Sequence, residues 1–172
     1  MPKIIAVIVE LSVLICALWG MSFLSTLWHE VGHAVGYMLA THDGHWHIRV
    51  GWGKRLLNTK ALTVNLLVFD GFFTPSEKKI DTKAKLITTL LGGPVFSLLL
   101  TAGLSALRFG GMSFHSDFFA DGAVEFFLNS ALWINLVILV LSVAPVHYFH
   151  GEIKGLETDG LQVIRAVKRH GE

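Results

Sequence analysis

A single cysteine, Cys16, occurs in the chain. That excludes an internal disulfide, and its place in an apolar run reads as small-residue packing. Excess charge of one sign is also missing, since 14 Lys and Arg face 13 Asp and Glu for a formal net charge of +1. The basic residues between positions 41 and 85 are spaced among apolar ones, so a nucleic-acid partner is not expected. A convincing small-x-small cleavage site after the first apolar run is lacking too, and Glu10 interrupts that run, which argues for a retained segment rather than a signal peptide.

What is abundant is apolar sequence. At 52% hydrophobic residues and a mean hydropathy of +0.57, the 172 residues read as a single α-helical integral membrane domain. Three segments reach the roughly 20 apolar residues that a bilayer-crossing helix needs, about 4–40, 86–107 and 125–148. The first is longer than one bilayer thickness, so part of it should project or tilt. Between the first and second spans lie eight Lys and Arg from Arg49 to Lys85, and four more, from Lys154 to Arg169, follow the third. Only Lys3 and Arg108 fall on the other side. The positive-inside rule therefore places the amino terminus outside, and the 41–85 loop and the 149–172 tail in the cytoplasm.

Within the first span stands His29-Glu30-Val31-Gly32-His33, a His-Glu-x-x-His pattern. Helical residues four apart share a face, so the two imidazoles can hold one zinc ion with Glu30 beside them as a general base. Ionisable groups at membrane depth are costly and mark functional sites by default. Glu10 sits roughly 100° around the helix from His29 and is expected to make an interfacial or interhelical contact instead. Gly20, Gly32 and Gly36 would let other backbone approach closely.

His42-Asp43-Gly44 signals the end of this helix. His45, His47 and Arg49 then alternate with Trp46, Ile48, Val50 and Trp52, the period-2 pattern of a strand. A second strand is expected from Ala61 to Phe69, with breaks at Gly51, Gly53 and Asn58 between the two and an end at Asp70-Gly71, after which Phe72-Phe73 turns back toward the membrane. Such a hairpin at the mouth of the site is either plain scaffold or an edge that receives an extended peptide. His42, His45 and His47 are weighed as a second metal site, but no carboxylate or cysteine partner occurs at a defined spacing.

Gly92-Gly93-Pro94 in the second span permits a kink and tight helix contact. His115, in the short 113–122 outer loop, is expected to be solvated. Asn135 and Ser142, two turns apart in the third span beyond Asn129, share a stripe that should face the bundle interior. Pro145 ends that helix near the cytoplasmic surface. Thr158-Asp159-Gly160 opens a short amphipathic helix through Arg169. Catalytic zinc usually takes three protein ligands, and the tail returns to the same membrane face as the end of the first span. The third ligand is therefore sought among His147, His150, Glu152, Glu157 and Asp159.

In combination and order, these motifs resemble the site-2 protease family of intramembrane zinc metalloproteases, and most closely its compact bacterial members with Ser-Asp-Gly or Thr-Asp-Gly in the tail. The resemblance runs over nearly the whole chain. It implies a three-helix protease core with a small membrane-associated sheet between helices 1 and 2. It also implies one Zn²⁺ held by His29, His33 and Asp159, with Glu30 as catalytic base and Asn135 as a polar active-site residue. Implied as well are a bacterial inner-membrane location with the site toward the cytoplasmic face, and membrane proteins or peptides as substrates. Ser97 and Ser142 stand where many relatives carry asparagine, and the gap from Pro145 to Asp159 is longer than in Leu-Asp-Gly relatives. These departures bear on oxyanion stabilisation and substrate positioning. No stretch remains for a PDZ or nucleotide-binding domain, so control would fall to a regulatory membrane partner or to the bilayer. The altered asparagine positions motivate an alternative, an inactive zinc-binding protein acting as chaperone or adaptor for membrane helices. A metal transporter would need ligands continuing through the membrane, which the sequence does not provide.

Overall fold

The computed structural model describes residues 2–75, 79–110, 122–148 and 154–168. It is mostly helical, with one small sheet and three helices long and apolar enough to cross a membrane. The order is α1 (Pro2–Thr41), β1 (Trp46–Asn58), β2 (Leu62–Pro75), α2 (Lys83–Phe109), α3 (Ala123–Val143) and α4 (Asp159–Lys168).

At 1.5 Å per residue, the 40 residues of α1 extend about 60 Å, twice the hydrocarbon thickness of a bilayer. Its first stretch is apolar all round and exposed, from Ile4 (66%) to Ile15 (57%), and carries Glu10, also exposed. The second half is packed. Trp28 Nε1 donates to the Phe96 carbonyl at 2.8 Å, and a Cβ at Gly32 or Gly36 would collide with the backbone of Gly92 or Thr88. The pairs 28–96, 32–92 and 36–88 run in opposite directions, so α1 and α2 pack antiparallel, in contact through their small residues. Gly20, expected to join this set, has no neighbour that a Cβ would meet.

The sheet lies on α1. Ile48, Val50 and Val68 form a buried cluster with Ala34, flanked by Trp19, Phe23, Leu27 and Val31. The first half of β1 sits between two stretches of β2, because Ile48, Arg49 and Val50 pair with both Leu62–Val64 and Gly71–Phe73. Gly51 and Gly53, expected to break the first strand, are instead bulges inside it, at φ +76° and +83°. Asp70-Gly71 does not end the second strand either. Gly71 pairs with Val50, and β2 continues to Pro75, carrying Phe73 back against the rings of His33 and Tyr37.

Helix α3 ends at Val143, short of the expected Tyr148. Ala144 is already extended (φ −60°, ψ 131°), as Pro145 demands of the residue before it. Arg108 near the end of α2 reaches Asn129 at 3.0 Å and Glu125 at 3.6 Å on α3. The expected positions of Lys78, His115, His150, Glu152 and Arg169 lie outside the described residues.

Candidate metal centre

A helical spacing of four brings His29 and His33 together, with Nε2 atoms 3.2 Å apart. Asp159, 130 residues later, closes the triangle: its Oδ2 lies 3.2 Å from His29 Nε2 and 3.4 Å from His33 Nε2. Among the described residues this is the one group of three or more His, Cys, Asp or Glu side chains arranged to hold a metal ion. Ligand atoms bound at about 2.0–2.1 Å in tetrahedral array stand about 3.3–3.4 Å apart, so the three edges fit an ion with a fourth vertex open. Gly93 supplies the space. A Cβ there would touch both Nε2 atoms, so any other residue would intrude on the ion's position.

The outer nitrogen of each imidazole is also held, which fixes the ring. His33 Nδ1 meets the Thr89 carbonyl at 2.8 Å, and His29 Nδ1 meets Ser97 Oγ at 2.9 Å. Ser142 Oγ donates to Asp159 Oδ2 at 2.7 Å. Thus Ser97 and Ser142 each touch a member of the group that could hold the ion. Asn135 is fully buried and lines neither cavity at the centre; its Nδ2 donates to the Ser97 carbonyl (2.8 Å) and to Thr101 Oγ1 (2.7 Å). Through Ser97, whose Oγ meets His29 Nδ1, it is linked to one of the two histidines.

Asp159 owes its place to Thr158. That side chain, 1% exposed, donates between the carbonyls of Ala144 (2.5 Å) and Val146 (3.0 Å) and accepts from the Leu161 amide at the start of α4. Gly160 lies so close to the Val143 carbonyl that a Cβ would not fit. Burial pushes the Asp159 carboxyl up, but the His33 imidazole and hydrogen bonds with both histidines outweigh it and hold the group below the usual carboxylate range. Of the other candidate third ligands, His147 and Glu157 form a backbone bridge to each other, and the Glu157 carboxylate pairs with Arg165.

Glu30 is 5% exposed and faces two cavities, of about 470 and 230 Å³, that share only His29, Glu30, Gly71 and Tyr148. A Cβ at Gly71 would strike the Glu30 carboxylate. The larger cavity runs past His33 and Asp159 along Gly71–Phe73 to Leu156. The smaller, more apolar one lies between Trp52, Phe69, Ile138 and Leu141. Nothing in the sequence placed Tyr148 or Gly71 at the cavities, because their position there depends on β2 continuing past Asp70 and on the tail folding back. His42, His45 and His47 do not form a centre: His45 Nδ1 pairs with Asp43 at 2.6 Å, while His47 contacts Lys60 and Thr63.

Compared with protein-family models, curated proteins and solved structures, the chain matches none.

Proposed function

We propose that this chain is an intramembrane zinc metalloprotease of the site-2 type, hydrolysing peptide bonds of membrane-embedded substrates. The observation that carries the reading is the convergence of His29, His33 and Asp159 on one point, with the carboxylate of Glu30 in the wall of the adjoining cavities. A purely structural zinc site closes its fourth position with protein and has no use for a buried glutamate beside it.

Bound zinc would polarise the scissile carbonyl and lower the pKa of water from 15.7 to about 7. The chain's own groups do the rest. Glu30 takes the proton from the attacking water and delivers it to the amine as the C–N bond breaks. Ser97, the Thr89 carbonyl and Ser142 keep the ligand rings and carboxylate oriented. The Gly71–Pro75 stretch, running beside Glu30, suits an extended substrate backbone laid along a strand edge. Substrate must then be unwound at the site, in keeping with glycine at the point of closest approach.

The test is a pair of substitutions on purified protein in mild detergent. Asp159→Ala should lose most of the one zinc per chain expected for wild type. Glu30→Gln should keep the zinc and lose peptide cleavage; turnover at the wild-type rate in that variant would exclude Glu30 as the base. A wild-type chain that binds zinc but cleaves nothing would favour a binding or adaptor role.

A further inference from the structure

The two cavities meet at only four residues: His29, a ligand; Glu30, the base; Gly71, on the sheet; and Tyr148, which no step above uses. A peptide that occupies both cavities has to cross that seam, and its scissile bond must lie there to reach Glu30. Tyr148 thus borders the same seam as His29 and Glu30.

Its backbone is fixed independently of its ring. The Tyr148 amide donates to the Leu156 carbonyl at 2.9 Å, and its carbonyl accepts from the Gly155 amide at 2.7 Å, in the ladder that brings the tail back to the site. Among the described residues, the phenol oxygen makes no hydrogen bond, so its donor is available to whatever fills the seam. The polar groups that the family resemblance offers for this duty are engaged elsewhere: Asn135 is buried on Ser97 and Thr101, and Ser142 is bound to Asp159.

We infer that Tyr148 is a further catalytic residue, whose hydroxyl donates a hydrogen bond to the substrate carbonyl oxygen as water adds and negative charge develops there. No proton is transferred by it. The phenol remains neutral throughout, while the proton from water travels through Glu30 to the leaving amine. The inference rests on the metalloprotease reading and adds to it the donor that the serine substitutions left unassigned.

Tyr148→Phe tests it, since phenylalanine keeps the ring and the backbone ladder and deletes only the donor. Two readouts are needed. In dodecyl maltoside, with quenched-fluorescent peptides of mixed apolar sequence, kcat should fall by about 10²-fold, the usual loss for one oxyanion donor, with KM within about threefold and zinc content unchanged. A phosphinic pseudopeptide, which mimics the tetrahedral state, should bind Tyr148→Phe about 10²-fold more weakly, while the uncleaved peptide binds Glu30→Gln and Glu30→Gln/Tyr148→Phe equally. Retained kcat, unchanged phosphinic affinity, or loss of zinc in Tyr148→Phe overturns the inference alone. A wild-type chain that cleaves none of the peptides, or a Glu30→Gln chain that cleaves them as fast, overturns the metalloprotease reading and this inference with it.

Discussion

Ser97→Ala isolates the grip on one candidate metal ligand, His29. With Nε2 turned to a bound metal, His29 would carry its proton on Nδ1 and donate it to Ser97 Oγ, 2.9 Å away. Ser97 is 0% exposed, so no bulk water replaces the lost acceptor. Leaving a buried donor unsatisfied costs about 1–3 kcal/mol, and losing an outer-shell partner of a metal-bound histidine typically costs about 10–100-fold in affinity. The two ranges overlap at about 1.4–2.7 kcal/mol. The carbonyl of residue 97 still receives Asn135, so the helix contact survives the substitution. Zinc affinity of Ser97→Ala, measured by competition with a graded series of chelators, should therefore fall by about 10–100-fold with the thermal unfolding of the zinc-free chain little changed. Affinity within twofold of wild type would refute the argument that Ser97 holds the ring. His33 offers no such handle, because its outer partner is the Thr89 backbone.

Gly93→Ala should abolish zinc binding, read as metal per chain, since the new methyl would touch both ligand nitrogens. Gly71→Ala should retain zinc yet cut peptide cleavage by at least about 10²-fold, as the methyl displaces Glu30; comparing zinc content and turnover separates the two glycines. At the foot of α1, the Tyr37 hydroxyl and then His45 hold the Asp43 carboxyl down at about 2. A carboxyl depressed on folding stabilises above its unfolded value of about 3.9, and that contribution disappears as pH falls toward about 2. Tyr37→Phe should thus raise the Asp43 titration midpoint, measured by carboxyl-resolved NMR in detergent.

The three long helices were legible because apolar length alone specifies them, and His29 and His33 because helical periodicity places them on one face, with Glu30 beside them. Of the three candidate third ligands among the described residues, Asp159 is the one that closes on the histidine pair, a choice that spacing left open since it depends on how Thr158 anchors the tail to Ala144 and Val146. The sheet was read less well. Glycine and Asp-Gly mark turns in most contexts, whereas here Gly51 and Gly53 sit in bulges and Gly71 is small so that a strand can pass Glu30. Asn135 was placed correctly in the interior, but periodicity carries no information about depth along the bundle, and its partners are Ser97 and Thr101 rather than the cavity.

The clasp between His29 and Asp159 also has a meaning in time. Synthesis delivers His29 and His33 with the first long helix, and Asp159 only 130 residues after His29. Until Asp159 has been added, the nascent chain carries the two histidines without the carboxylate that closes the triangle. A chain stalled before Thr158 would carry the histidine pair without the third side of that group.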